Sequence, residues 1–317
     1  RLGAPHHFDM TQKSFLLLLY GPTAVGKSDL ALEIAEKTGA EILSADSMQV
    51  YRGLDIGSAK PSLEERERVR HHLIDVADPT EDFSVGNFCD KAWPIVDRAD
   101  RERKPLIICG GTGLYVKSLI DGLAEVPPPD PAFRAEMEKE AEAIGSVTLH
   151  KRLAGLDPIS ASRIHPHDLK RIIRALEIHH ATGVTKTEFE SRQQAPVWKD
   201  RVQWIGLKRD WEDLDERING RVNRMFEEGL VKEVQGLLAR GCTPNHAAMK
   251  GLGYRETIDY LQGKETLDRS IEIIQRNTRR FARRQIGWFR NDERMRWVEI
   301  GEDSSLDSIL NEVDLTQ

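Results

Sequence analysis

The sequence predicts an α/β fold: a parallel sheet core, interrupted by a helical insertion and completed by C-terminal helices. Short apolar runs bounded by glycines alternate with helical spacing over the first third of the chain, the pattern of strands buried on both faces of a parallel sheet. The stretch Val126-Pro127-Pro128-Pro129-Asp130-Pro131 then breaks that pattern, because proline continues neither a helix nor a central strand. Helical spacing without strand signals follows as far as Thr187, and one further apolar run returns to the sheet before helices resume at Leu214.

Residues 15–20 (Phe-Leu-Leu-Leu-Leu-Tyr) read as the first strand, wholly apolar and therefore covered on both sides. Residues 29–38 place Leu30 and Ile34 on one helical side with Ala31 and Ala35 beside them, and Gly39 ends the helix. Residues 41–45 and 105–109 read as the next strands, the latter closed by Gly110-Gly111, and 202–207 (Val-Gln-Trp-Ile-Gly-Leu) as the strand that follows the insertion. A chain of 317 residues is expected to form two structural units. The domain reading is a leader over 1–13, disordered or carried over from expression; a core over 14–124; an insertion over 125–196; and the rest of the core with C-terminal helices over 197–317.

Composition narrows the class. Hydrophobic residues at 39% and charged residues at 31% describe a globular chain rather than a disordered one. The longest apolar run, 15–20, is too short to cross a bilayer, so no membrane association is expected. Cys89, Cys109 and Cys242 are odd in number and form no CxxC pair, which argues against a disulfide framework or zinc site and fits a reducing cytoplasm. A formal net charge of −6 argues against a nonspecific nucleic-acid binder, although the distribution of charge matters more than its sum.

Gly21-Pro22-Thr23-Ala24-Val25-Gly26-Lys27-Ser28 matches G-x-x-x-x-G-K-[ST] in full, between a predicted strand and a predicted helix. It is the signature of a nucleotide-binding, ATP-binding loop, and it makes the core P-loop NTPase-like. The glycines let the backbone curl until successive N–H groups face a phosphate, and the following helix presents its positive end to the same anion. Lys27 adds a point charge, and the Ser28 hydroxyl is the candidate ligand for Mg²⁺. An ordinary ATPase also carries an apolar strand ending in a metal-binding Asp. Here the strand at 105–109 ends in Gly110-Gly111-Thr112-Gly113 instead, a hint against simple nucleotide hydrolysis.

Asp46 follows the second strand directly. The carboxyl ends of strands line the ligand crevice of an open α/β sheet, so Asp46 belongs near the phosphate loop, as a proton acceptor for a nucleophile or as a helix cap. Basic residues gather in two helices. Lys170, Arg171 and Arg174 open one; Lys170 and Arg174 share a face. Arg276, Arg279, Arg280, Arg283 and Arg284 form a stripe along another, a candidate for phosphate contact, with Phe281, Trp288 and Phe289 assigned to core. Arg217 and Arg221 lie four apart on one helical face. His71 and His72 lack a third ligand at metal spacing and are read as packing or polar support.

Taken together these segments resemble the tRNA dimethylallyltransferase (isopentenyltransferase) family from end to end. The matching blocks are GPTAVGKS (21–28), SADSMQVYRGLDIGSAKP (44–61), HHLIDVADP (71–79), FSVGNF (83–88), GGTGLYVKSLIDGL (110–123), RIHPHDLKRIIRALEI (163–178), GLGYRE (251–256) and RNTRRFARRQIGWFRN (276–291). The resemblance implies transfer of a dimethylallyl group from dimethylallyl pyrophosphate to the exocyclic amine of the adenine beside a tRNA anticodon. It implies that the loop holds the donor's pyrophosphate with Mg²⁺, that Asp46 orients and deprotonates the amine, and that Thr112 donates to the leaving oxygen. Arg221, with Arg217 beside it, would offset charge growing on the pyrophosphate. It also implies that the insertion clamps the anticodon stem-loop. The tRNA contacts would be Ser47, Met48, Gln49, Arg134, Lys170, Arg171, Ile172, Ile173, Arg174, Lys250 and Arg255, joined by Arg280 and Arg284 from the stripe. A monomer is expected. The sequence departs from the family at Gly287 (usually Thr), Arg70 (often Pro) and Ser58 (usually Thr). A glycine inside a helix costs about 0.5–1 kcal/mol relative to alanine. The zinc finger of eukaryotic members is not in this sequence, so the resemblance is to the bacterial type. Three alternatives fit less well: a small-molecule kinase gives no role to the insertion or the arginine stripe, the long insertion and the match through His165 to Arg174 argue against a prenyltransferase of free adenine nucleotides, and a non-catalytic RNA-binding GTPase-like module would need a base-reading N-K-x-D loop that the sequence lacks.

Overall fold

A computed structural model describes residues 15–301; the leader predicted over 1–13 lies outside them. The first strand, β1 (Leu16–Tyr20), is buried along its whole length and runs into the phosphate loop and helix α1 (Lys27–Thr38). Gly39, at φ 70°, ends α1 in the left-handed conformation that only glycine adopts without strain. Then come β2 (Glu41–Ser44), the short α2 (Leu63–Arg68), the two-residue β3 (His71–His72), α3 (Val85–Glu102), β4 (Leu106–Gly110) and α4 (Gly113–Asp121). After the insertion come β5 (Val202–Lys208) and helices that include a long pair packed on each other, and the last element among the described residues is a sixth strand, Met295–Glu299.

The six strands form one parallel sheet in the order β3-β2-β4-β1-β5-β6, the sixth strand being β6. Leu16 to Tyr20 pair in register with Leu106 to Gly110 on one side and Val202 to Gly206 on the other. β1 is therefore central, which is why its sequence carries no alternation. The strands β3 and β6 at the sheet edges did not emerge from the sequence. Two residues are too short a run to register, and Met-Arg-Trp-Val-Glu carries an apolar–polar alternation that was not read as a strand. Leu17, Leu19, Ile107, Ile205 and Leu207 meet Ile34, Leu30 and Ile218 in the main core.

The chain divides into two compact units, Ile120–Pro196 and the remainder. The smaller unit contains α5 (Pro131–Ile144), α6 (Ser146–Leu156), α7 (Pro158–Arg163), α8 (Leu169–Thr182) and α9 (Lys186–Ser191). Proline stands at the start of α5 and of α7, behind Asp130 and Asp157, whose side chains accept from the first-turn amides. The core of this unit is Phe133, Met137, Leu149, Leu153, Ile164, Ile172, Ile173 and Leu176. The larger unit continues after β5 with α10 (Trp211–Glu227), α11 (Leu230–Ala239), α12 (Tyr254–Leu261) and α13 (Leu267–Phe289). No helix among the described residues is long and apolar enough to cross a membrane. All three cysteines are buried and free.

Candidate active site

The carboxyl ends of β1, β2 and β4 face a cavity of about 1390 Å³, larger than the roughly 300–1,000 Å³ of a site for one small molecule. Its lining draws on the phosphate loop, the turn after β2, the 55–61 loop and helices α10 and α13.

The phosphate loop is braced from outside. Lys27 Nζ donates to Pro22 O (2.7 Å), Arg217 Nε to Ala24 O (3.0 Å) and Arg209 Nε to Val25 O (2.9 Å). With these carbonyls held by cations, the curl of the chain turns the other edge of the peptides toward the cavity. Gly26 sits at φ 107° and Ala24 at φ 63°, a left-handed conformation that costs a residue with a Cβ and that no sequence rule announced. The N-terminus of α1 receives no side-chain cap, so its first amides remain for an anion. Val25 is fully buried and anchors the loop in the core. Burial lowers the Lys27 pKa to about 8, with Arg221 pushing the same way and Cys109 and Asp46 opposing. Arg221, on α10, is likewise lowered by burial and held up chiefly by Asp46. Lys27, Arg221 and Asp46 are thus one electrostatic group.

Asp46 caps a turn with one oxygen and leaves the other open. Its Oδ1 accepts from Met48 N (2.8 Å) and Gln49 N (3.3 Å), capping the turn, while Oδ2 has no hydrogen-bond partner among the described residues. Gly110 lets the strand ends meet here: a Cβ on it would lie 2.3 Å from Ala45 O. Thr112 stands beside the cavity rather than in its lining. Its Oγ1 accepts from Ser47 N (3.0 Å) and lies 3.4 Å from Ser47 Oγ, fastening the Asp46–Ser47 turn to the turn after β4.

Several predicted residues do meet at the cavity: Thr23, Ala24, Gly26, Lys27, Ser28, Asp46, Ser47, Met48, Gln49, Arg217, Arg221, Lys250, Arg255, Arg280 and Arg284. The arginine stripe of α13 splits. Arg279 and Arg283 turn to α10, where Arg283 bonds the Asp215 carboxylate (3.1 and 3.2 Å) and stacks over Trp211, and Arg279 bonds Asn219. Arg280 and Arg284 face the cavity, with Arg284 over the ring of Phe281. Phe281, assigned to core from sequence, therefore lines the cavity; Trp288, assigned likewise, is 44% exposed, and Phe289 alone of the three is core. Gln49 spends its amide on Ser44 Oγ (2.8 Å) and on Ser58 O and Ala59 O, so it holds the 55–61 loop.

Within the insertion, Ile172 and Ile173 are buried in the unit's own core, which corrects their assignment as tRNA contacts: α8 turns those side chains inward. Arg134 and Arg174 are not displayed freely either. Arg134 grips the buried Glu177 with two bonds (2.8 and 2.9 Å), and Arg174 bonds Glu177 and Pro127 O. Lys170 and Arg171 stay exposed.

Sequence reasoning missed three partners. Gln285 on α13 bridges two of the site's loops. Lys60, whose side chain is 2% exposed, joins Asp55 and Asp75 (2.6 Å each) and so holds the 55–61 loop. Glu233 on α11 accepts from three successive amides, Asp55, Ile56 and Gly57 (3.1, 2.7 and 3.2 Å), and from Tyr254 Oη (2.7 Å). Each lies far along the chain from at least one partner. The two histidines behave as polar support: His72 Nε2 meets Glu41 at 2.6 Å and His71 Nδ1 meets Val69 O at 2.8 Å.

No cluster of three acidic, histidine or cysteine side chains among the described residues could hold a metal alone. Ser28 at the cavity suits Mg²⁺ of the kind that takes most of its ligands from phosphate and water.

Comparison with known proteins identifies the family. The model of the IPP transferase family matches residues 49–292. The tRNA dimethylallyltransferase of Geobacter sulfurreducens is 47% identical over 287 residues, 90% of this chain and 92% of that one. Among solved structures, the tRNA isopentenylpyrophosphate transferase of Bacillus halodurans is similar with a TM-score of 0.69 at 39% identity, covering 95% of this chain and 96% of that one. A eukaryotic dimethylallyltransferase acting on tRNA gives a TM-score of 0.79 at 26% identity, over 95% and 77%. The P-loop, the strand-end carboxylate and these matches over nearly the whole chain lead to one conclusion: the chain belongs to the tRNA dimethylallyltransferase (IPP transferase) family.

Proposed function

We propose that this protein transfers a dimethylallyl group from dimethylallyl pyrophosphate to the exocyclic amine of the adenine next to the anticodon of a tRNA, releasing pyrophosphate. The observation that carries the reading is Asp46: its Oδ1 is fixed by two amides and its Oδ2 is unpartnered among the described residues, in a cavity shared with Lys27 and Arg221. In the transfer, the amine nitrogen bonds to the allylic carbon as that carbon's bond to the pyrophosphate oxygen breaks, and the amine proton passes to Asp46. The leaving group carries the electron pair away, so the site needs stabilisation of an anion more than a strong base. Lys27, the uncapped amides at the start of α1 and Arg221 are suited to that. Ser28 would hold Mg²⁺, which would supply further neutralising charge. Arg217 steadies Ala24 from the loop's rim. Thr112 holds the Asp46 turn, and donation to the leaving oxygen would require its hydroxyl to leave Ser47.

The adenine must be unstacked to reach such a recessed group. Met48, Lys250, Arg255, Arg280 and Arg284 are the cavity residues suited to the RNA, and exposed Lys170 and Arg171 supply cations on the insertion. The protein would act as a monomer in the cytoplasm. The test is incubation of purified protein with Mg²⁺, dimethylallyl pyrophosphate and an unmodified tRNA bearing adenine beside its anticodon, followed by mass analysis of the nucleosides. Protein-dependent dimethylallyl-adenosine is the expected product, and the Asp46→Ala variant should lose it while still binding pyrophosphate. No product from a competent tRNA, with ATP-dependent transfer to a small acceptor instead, would overturn the reading in favour of a kinase.

A further inference from the structure

Gln285 has no part in the chemistry above, yet it sits where the two glycine-bearing loops of the site come together. It is 5% exposed. Its Oε1 accepts from Thr23 N of the phosphate loop (2.9 Å) and its Nε2 donates to Gly111 O of the turn after β4 (2.9 Å). Its own backbone carbonyl accepts from Tyr20 Oη at the end of β1 (2.7 Å), so the residue is fixed at both its backbone and its amide. Gly111 accommodates it: a Cβ there would lie 2.2 Å from Nε2. We infer that Gln285 is a positioning residue for the transfer, setting the separation between the pyrophosphate loop and the turn that carries Thr112.

The chemistry of the amide explains the choice of residue. Thr23 presents a donor and Gly111 an acceptor, so the bridging group must both accept and donate while staying neutral. A carboxylate would accept from Thr23 but would face the Gly111 carbonyl with no proton, and an isosteric thioether would serve neither. Tying Thr23 N–H to the helix also removes it from the set of amides available to phosphate. Because reacting groups lose rate steeply with small displacements, a loop shifted relative to the Asp46–Thr112 turns would transfer poorly even with every charge retained.

This inference rests on the pyrophosphate reading of the loop, and the test separates the two. The affinity of the full chain for inorganic pyrophosphate with Mg²⁺, and dimethylallyl transfer to tRNA, are measured for the native protein, Gln285→Glu and Gln285→Met between about pH 6 and pH 8.5, with each variant expressed as a ratio to native at the same pH. The ratio cancels the titration of Lys27, near 8, and Tyr20 is pushed by burial far above that range. At the upper pH both variants should bind pyrophosphate about tenfold to a hundredfold more weakly, as expected for buried groups left unpaired. On acidification the Gln285→Glu variant should recover most of that loss, since a protonated carboxyl accepts and donates as the amide does. Gln285→Met should show no recovery. A pH-independent loss in Gln285→Glu equal to that of Gln285→Met would reduce Gln285 to packing and overturn the inference, as would native affinity in Gln285→Met. Should Gln285→Met fail to fold, the recovery of Gln285→Glu decides alone. Native binding of pyrophosphate without dimethylallyl transfer would defeat the proposed reaction while leaving the Gln285 result to stand on binding.

Discussion

The arginines of α8 and its neighbourhood and those of α13 look alike as sequence and differ in the molecule. Arg134 and Arg174 converge on Glu177, which is 1% exposed, and their guanidinium groups are consumed in holding the insertion together. Arg280 and Arg284 have no acidic partner among the described residues and face the cavity. Their neighbours Arg279 and Arg283, one position away along the same helix, are taken up by Asp215 and Asn219. A cation's role is therefore decided by whether the fold places an acceptor opposite it, and helical spacing alone does not reveal that.

Removing the acceptor in the insertion should have the largest effect. Glu177→Ala leaves Arg134 and the Asp130 amide without their carboxylate and Arg174 with only Pro127 O, and should destabilise the insertion by about 3 kcal/mol, read by urea unfolding. Acid should do the same gradually. Burial pushes the Glu177 carboxyl up, but the bonds from Arg134, Arg174 and Asp130 outweigh it and hold the pKa at about 2, below its ordinary 4.5. Its contribution is then complete above pH 4.5 and is lost as pH falls toward 2. Stability that stays flat across that interval in the native protein would break the contrast.

On the cavity side, Arg221→Ala should lower turnover about 100- to 1,000-fold, as loss of one anion-stabilising donor does, with little change in unfolding. Lys27 gives a pH signature. Bound pyrophosphate favours its charged form, so affinity should decline above its pKa of about 8, by up to about tenfold per pH unit, in a calorimetric titration. An affinity that is level through this range would mean that Lys27 stays protonated in the empty loop. Arg280→Ala should weaken tRNA binding and lower the slope of log affinity against log salt by about 1, leaving pyrophosphate binding as it was. The smallest effect belongs to Asp215→Ala, under about 1 kcal/mol, because that pairing is partly exposed.

The parts legible in the sequence were contiguous. The phosphate loop declares itself because eight consecutive residues make the cradle, and the strands at 16–20 and 106–110 because burial on both faces leaves them almost wholly apolar. Gln285 carries no local signal in the sequence, since its partners Thr23 and Gly111 lie 262 and 174 residues away. Ile172 and Ile173 sit inside a basic block, but the apolar run they form with Ala175 and Leu176 marks the inward face of α8. Gly287 has open space around it, so nothing in the structure explains the departure there.

Glu233 bears on how a substrate can enter. The loop at 55–57 offers three successive amides, the same set of donors that makes a phosphate cradle, but a carboxylate of the protein's own is docked in it. Among the described residues no carboxylate is docked on the amides of the loop at 21–28. Of the two amide-rich loops that border the cavity, one is thus already satisfied by the protein itself, and under the function proposed above an anionic donor would be left only the other.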